Sequence, residues 1–395
     1  MPTESTFLFA GLLFLAAGLG YVFARFGDTD EEEEAEQAAR ANYLRGFRYL
    51  LNEEPDRAVD VFTGAGELSD DAMETQLALG TLFRRRGEVD RAIRLHQDLV
   101  DRPASSGTQR QAASFALAED YLSAGLFDRA EELFVRLRES RLHGVDALQR
   151  LLRIAEVTSD WDRAVDLCAE LQRVAPDCVS AGQRAHYYCE LAELARHGKD
   201  LTEARQLLGQ AEAVEPGKIR TALVRADLEV DAGMPQVAIE LLAALAAAHP
   251  LTLGETLPRL LSAQASPQDR TRVAGVMQQL AATPEGLRGI ALGVIRDPRI
   301  IDPLALKYLM AFVDQQATLR GLAGSDGLQG LQPEQQQASL QRIRAALHKL
   351  TRSGTRYQCG NCGYGSAVLH WQCPGCRAWD TVQPLNPALL EEILG

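Results

Sequence analysis

Gly80–Gln97 reads GTLFRRRGEVDRAIRLHQ, and the reading of this stretch decides the fold. It holds two short amphipathic helical segments with a turn between them. Gly80 and Phe83 are three residues apart and share one helical face. Gly80 is small enough to admit a neighbouring helix. Gly87 is expected to end the first helix, because glycine accepts the left-handed conformation that a helix terminus needs. Asp90 is expected to cap the second helix, and Ala92 to permit close helix contact. A hairpin of this size cannot bury its own apolar face, so it needs copies of itself.

The copies are present. Gly46, Tyr49, Ala58, Phe62 and Ala65 stand 34 residues before Gly80, Phe83, Ala92, His96 and Leu99. Ala118, Tyr121, Ala130 and Phe134 repeat the pattern after a four-residue insertion around Pro103 to Thr108. Ala164, Cys168 and Pro176 follow, then Ala204, Leu208, Ala211 and Pro216, then Ala238, Leu242, Leu245 and Pro250. A helix–turn–helix period of about 34 with small, aromatic and late-proline positions is the tetratricopeptide signature. The predicted class is all-α: a tetratricopeptide-repeat solenoid with an N-terminal transmembrane helix and a small C-terminal metal-binding module.

Composition agrees with that class. Aromatic residues are sparse and helix formers abundant among the 395 residues. A net charge of −13 opposes nucleic-acid binding, which needs phosphate neutralisation by Lys and Arg. Seven cysteines are too few and too unevenly placed for a disulfide scaffold. No Ser-His-Asp grouping, HExxH motif or dinucleotide loop occurs, so the chain is not read as an enzyme.

Phe7–Ala24, FLFAGLLFLAAGLGYVFA, is an uninterrupted apolar run. It is long enough to cross a bilayer, which takes roughly 17–25 residues. A cleaved signal peptide would carry a basic n-region, and no Lys or Arg precedes this run. Arg25, Arg40, Arg45 and Arg48 all follow it, so the positive-inside rule places the C-terminal part in the cytoplasm. The reading is a single-pass membrane protein.

The expected layout follows: a short tail over 1–6, a transmembrane helix over 7–26 and an acidic linker over 27–38. Repeats occupy 39–250, degenerate helical repeats 251–352, the metal module 353–386 and a tail 387–395. In such solenoids the first helix of each pair lines the inner face. The phase puts Thr81, Arg84, Glu119, Glu193 and Arg196 there, as candidate partner contacts. Beyond Pro250, Leu257–Leu261, Arg272–Leu280, Leu287–Ile295 and Leu304–Val313 still read as short helices, broken apart by prolines 258, 267, 284, 298 and 303. Gly321–Gly330 is expected to be a loop, and Pro333 to open a last helix. Cys168, Cys178 and Cys189 read as small buried hydrophobes.

The chemistry lies in the tail. Cys359-Gly-Asn-Cys362 and Cys373-Pro-Gly-Cys376 form two CxxC pairs separated by ten residues. Two such pairs make a tetrahedral four-thiolate site. Gly363 and Gly375 suit the tight turns, and turn amides can donate to the sulfurs. A sulfur-only site suits zinc or iron, and with four protein ligands it leaves no open position for Lewis-acid catalysis. Tyr357, Tyr364, Trp371 and Trp379 are expected to cover it and to pack on the last helices.

The layout resembles the lipopolysaccharide assembly protein B family of Gram-negative bacteria. The resemblance is closest at Leu79–Gln97, at DYLSAGLFDRAEELF (Asp120–Phe134) and at YQCGNCGYGSAVLHWQCPGCRAWDTVQPL (Tyr357–Leu385). It implies an inner-membrane anchor, a cytoplasmic repeat array and a rubredoxin-like module, with one iron ion on Cys359, Cys362, Cys373 and Cys376. It also implies an adaptor that restrains lipopolysaccharide synthesis. Such an adaptor promotes degradation of the UDP-3-O-acyl-N-acetylglucosamine deacetylase by a membrane-anchored AAA protease of the FtsH type. A lipopolysaccharide-sensing inner-membrane protein antagonises it. Two alternatives stand beside this: an envelope assembly scaffold or chaperone, and an electron-transfer protein. A homo-oligomer is compatible with all three.

Overall fold

A computed structural model describes residues 13–21, 70–102, 106–297, 299–315 and 357–384, with scattered single positions at 41–61 and 332–342. The chain divides into two compact units, 1–154 and 155–395. The acidic linker, most of the first repeat, the 321–330 loop, most of the helix after Pro333 and the C-terminal tail lie outside the described residues. So do both ends of the apolar N-terminal run. Its described part is helical over 13–21, with Leu13, Phe14, Leu15, Leu19 and Tyr21 exposed. Among the described residues no helix is long and apolar enough to cross a membrane.

The first unit holds α1 (Asp70–Arg85), α2 (Val89–Asp101), α3 (Gly107–Ser123) and α4 (Phe127–Leu137). Helix α5 (Gly144–Thr158) contains the boundary between the units. The second unit continues with α6 (Trp161–Val174), α7 (Ala181–His197), α8 (Leu201–Val214), α9 (Ile219–Asp231) and α10 (Pro235–Ala248). Then come α11 (Leu253–Ser262), α12 (Pro267–Ala281), α13 (Pro284–Arg296) and α14 (Pro303–Gln315). This is the helix-pair architecture of a tetratricopeptide solenoid.

The five hairpins from α1–α2 to α9–α10 turn in the same way. Gly87, Gly125, Ser159, Lys199 and Gly233 all take positive φ, between 58° and 83°. The next amide then reaches back to close the turn: Glu88 to the Phe83 carbonyl at 2.9 Å, Asp160 to Ala155 at 2.9 Å, Met234 to Glu229 at 2.8 Å. This closure satisfies carbonyls that the helix end leaves unpaired. At Ser159 and Lys199 a side chain stands where glycine is the natural choice, so turn geometry is imposed there by the packed helices. Asp90 differs from its expected role. Helix α2 starts at Val89, so Asp90 lies in the first turn rather than at the cap, and it complements the helix dipole instead.

The phased small positions form the helix contacts. Ala92, Ala118, Ala130, Ala164, Ala204 and Ala238 are buried completely. Phe83, Tyr121, Phe134, Leu208 and Leu242 pack between them. Tyr49 of the first repeat packs against Leu79, Phe83, Ala92 and Leu95. Late prolines Pro176 and Pro250 each open a short 3-10 turn.

Beyond Pro250 the four expected helices are present, each longer than the sequence segment that announced it. Pro267, Pro284 and Pro303 occupy the first helical position, where a missing amide hydrogen costs nothing. Pro258 lies inside α11 and does not break it. Ser266 and Thr283 cap α12 and α13, the former through a full capping box with Asp269. Gly289 and Gly293 let α13 approach α11 closely: a Cβ on Gly289 would lie 2.4 Å from Leu253 Cδ1.

The C-terminal module is a three-stranded antiparallel sheet of order β2-β1-β3: β1 (Tyr357–Cys359), β2 (Gly365–Ser366) and β3 (Val382–Pro384). Its buried apolar core consists of little more than Tyr357, Cys359, Cys373 and Val382.

Candidate metal centre and the surface it rests on

Two knuckles bring four sulfurs together. The Sγ atoms of Cys359, Cys362, Cys373 and Cys376 all lie within 4.8 Å of one another. Cys359 and Cys376 are 3.7 Å apart, and Cys362 and Cys373 are 3.6 Å apart. A tetrahedron with metal–sulfur bonds of about 2.3 Å has edges of about 3.8 Å, so the donor set fits a zinc or iron ion. The first knuckle turns at Gly363, which has φ +76°. The second turns at Arg377, with φ +58°, rather than at Gly375. Gly375 serves by size: its Cβ position lies 3.4 Å from Cys362 Sγ.

The electrostatics of the quartet call for a cation. Cys359 comes down to about 6, chiefly through the Thr381 hydroxyl 3.3 Å from its sulfur, with the Cys362 and Asn361 amides helping and burial opposing. Cys376 is lowered by the Ala378 amide and by Asn361 Nδ2, which donates to it at 3.4 Å. Cys362 goes the other way. The Tyr364 amide favours its thiolate, but burial and the neighbouring cysteines outweigh that and raise it to about 12. Four thiolates this close cannot all ionise alone, and a bound divalent ion removes the conflict. His370 stands apart from the quartet, with Nε2 3.0 Å from Ser366 Oγ.

The module does not pack on the last helices alone, as the sequence led us to expect. Its main contact is with α5–α7 and the start of α9, in the middle of the array. Trp379 Nε1 donates to Glu156 Oε1 at 2.8 Å. Its indole stacks on His186 with ring centres 4.7 Å apart and meets Tyr187 edge-on at 5.7 Å. Asp380 accepts from His186 Nε2 at 2.7 Å and from Lys218 Nζ at 2.7 Å. Arg220 donates to His186 Nδ1 at 3.3 Å and lies over the Trp371 ring. Since Arg220 can only donate, Nδ1 is the acceptor and Nε2 carries the proton. Tyr357 reaches α11 and donates its hydroxyl to Glu255. Tyr364 is exposed and meets His370 edge-on within the module. Trp379, Asp380, His186, Glu156 and Lys218 were not singled out as a set by sequence. Only the CRAWD string beside the knuckle hinted at it.

Four of the five candidate partner side chains, those of Thr81, Arg84, Glu119 and Arg196, bond within the chain. Thr81 Oγ1 donates to the Leu77 carbonyl at 2.9 Å. Arg84 pairs with buried Asp120 at 2.8 Å, and Glu119 pairs with Arg150. Arg196 pairs with Asp231 at 2.6 Å, and the Glu193 carbonyl accepts from His197. Arg84–Asp120, Glu119–Arg150 and Arg196–Asp231 each join the first helix of one hairpin to the first helix of the next, as do Asp227–Arg259 and Tyr187–Glu156. Arg196 also lines a cavity of about 540 Å³ with Asp231, Arg259, Tyr357 and Val368. Of the other thiols, Cys168 and Cys189 are buried, and burial pushes Cys168 up to about 11. Cys178 is exposed, because it sits in the 3-10 turn after α6 rather than on a packed face.

Comparison with known proteins supports this division. Residues 357–384 match a family described as a rubredoxin metal binding domain, and residues 115–177 match the tetratricopeptide repeat family. The lipopolysaccharide assembly protein B of Escherichia coli K12 is 32% identical over 379 residues, 95% of this chain and 97% of that protein. The protein of the same name from Haemophilus influenzae is 28% identical over 403 residues, 95% and 97% of the two chains. Among solved structures, a tetratricopeptide repeat protein from Parabacteroides merdae shares 13% identity over 62% of this chain and 92% of its own, with a TM-score of 0.32.

Proposed function

Because this chain belongs to the lipopolysaccharide assembly protein B family, a family of repeat scaffolds and not of enzymes, we propose that it is an inner-membrane adaptor controlling lipopolysaccharide synthesis. The adaptor presents the UDP-3-O-acyl-N-acetylglucosamine deacetylase to a membrane-anchored AAA protease of the FtsH type. A lipopolysaccharide-sensing inner-membrane protein opposes it. The observation that carries this reading is the near-full-length relationship to the Escherichia coli protein, which covers 95% of this chain. Three further features support it. The apolar run Phe7–Ala24 has the length of a membrane anchor, with all nearby basic residues on its C-terminal side. An anchor would confine adaptor and protease to one surface and raise their effective concentration. Four cysteine thiolates fill every position of a tetrahedral site, so the metal's role is structural or sensory rather than catalytic. Iron is the metal proposed for it, with zinc as the alternative.

The test is a translation-block chase of the deacetylase in cells with and without this protein. The adaptor predicts a longer deacetylase half-life on depletion, with synthesis unchanged. An unchanged decay rate overturns it in favour of an envelope assembly scaffold.

A further inference from the structure

We propose that the metal knuckles work as a latch: a bound metal holds Trp379 and Asp380 in the conformation that grips the array, and its loss uncovers a charged, aromatic surface on α7 and α9. The two gripping residues lie between two tied points. On one side, the Ala378 carbonyl accepts from the Cys373 amide at 2.9 Å, and Arg377 donates to the Cys373 carbonyl at 2.7 Å. On the other, Thr381 Oγ1 lies 3.3 Å from Cys359 Sγ, and its carbonyl accepts from the Gly360 amide at 2.8 Å. The segment 378–381 is therefore fastened to both knuckles, and its shape depends on their staying together.

That shape is specific. Arg377 and Asp380 both have φ of +58°, a left-handed conformation uncommon for arginine and more readily taken by aspartate. The module has too small an apolar core to impose it alone. Metal–sulfur bonds supply what the core does not. Once they are lost, the segment relaxes and both side chains leave their partners together. The indole loses Glu156 and the His186 stack, and the carboxylate loses His186 and Lys218.

The surface so released is built to hold something. His186 is fully buried and Lys218 nearly so; Lys218 also donates to Glu215 at 2.9 Å, but the carboxylate that joins the two is Asp380, 194 and 162 residues away in sequence. Glu156 Oε1 accepts from Gln183, Tyr187 and Trp379 at once. An aromatic residue followed by an acidic one is the element this surface fits, and the module supplies it in cis. Metal occupancy thus sets whether the middle of the array is covered.

Linkage makes the proposal testable from the far side of the contact. If metal favours docking, docking must favour metal by the same factor. The full chain, reduced and loaded with zinc(II), is titrated with a chromogenic chelator while amide exchange is followed over 181–197. Chelation is expected to raise exchange there to the level of the Trp379→Ala/Asp380→Ala variant, with helicity kept. His186→Phe and Lys218→Ala, on the array and away from the thiolates, are expected to weaken zinc binding about 5–150-fold. Unchanged protection of 181–197 after the metal has left overturns the latch. So does unaltered zinc affinity in both array variants, and so does loss of array helicity on chelation, which would make the metal a support of the whole fold.

Discussion

Gly80 faces the imidazole of His96 so closely that a Cβ at Gly80 would lie 2.3 Å from Nε2. The ring has nowhere to retreat. It is fully buried, with Nδ1 bonded to Asp120 and Nε2 3.2 Å from the Leu77 carbonyl. Gly80 is thus a packing requirement and not merely a tolerated helix glycine.

Gly80→Ala is therefore expected to destabilise the first unit, despite the helix propensity that alanine brings. Overpacking costs about 1–3 kcal/mol, and the propensity gain is about 1 kcal/mol. Gly209, inside α8 with nothing near its Cβ position, supplies the contrast. Gly209→Ala should stabilise by about 0.5–1 kcal/mol. Urea unfolding of both variants measures the difference, and equal shifts in one direction would remove the packing argument.

Asp120 carries a second prediction. Its carboxylate is wholly buried between Arg84 and His96. Asp120→Ala leaves an arginine and a buried histidine without their shared acceptor, a change that typically costs about 3–5 kcal/mol. Arg84→Ala should cost less, because Asp120 keeps His96. Reversing the charge at Arg84 sets a carboxylate against Asp120, so any loss of adaptor activity in that variant must be read alongside its stability. Denaturation midpoints in the order wild type, Arg84→Ala, Asp120→Ala are expected, and the opposite order of the two variants refutes the account.

Acid should begin to destabilise the folded second unit at His186. Burial lowers His186 below its usual 6.5, outweighing the pull of Asp380 toward the charged form, with Lys218 and Arg220 adding to the lowering. The folded state thus binds this proton less readily than the unfolded chain does. The contribution is complete above pH 6.5 and is lost as pH falls from there through the lowered folded value. Burial alone would raise Asp380, but His186 and Lys218 bring it below 3.8, so its own contribution persists until more acid conditions. Tryptophan fluorescence between about pH 7.5 and 5.5 reads the first step. His186→Phe should flatten the profile. A step of equal size in that variant would assign it to another group.

The repeats were legible in sequence because their cause is local and periodic. Ala92, Ala130, Ala164, Ala204 and Ala238 recur where two helices must touch, and no other residue type fits there as well. The four metal ligands were equally plain, since Cys-x-x-Cys places two sulfurs from a single turn whatever surrounds it. Tertiary structure decided what the spacing could not encode. Pro258 sits within α11 because neighbouring helices hold that segment. Arg84 and Arg196, candidate partner contacts by sequence, also brace neighbouring hairpins. Above all, Trp379 meets Glu156 and Asp380 meets His186 across some two hundred residues of chain. No period or motif links those positions. Their meeting depends on where the stacked helices carry α5–α7 relative to the module, a quantity summed over many small inter-repeat rotations and readable only from the folded chain.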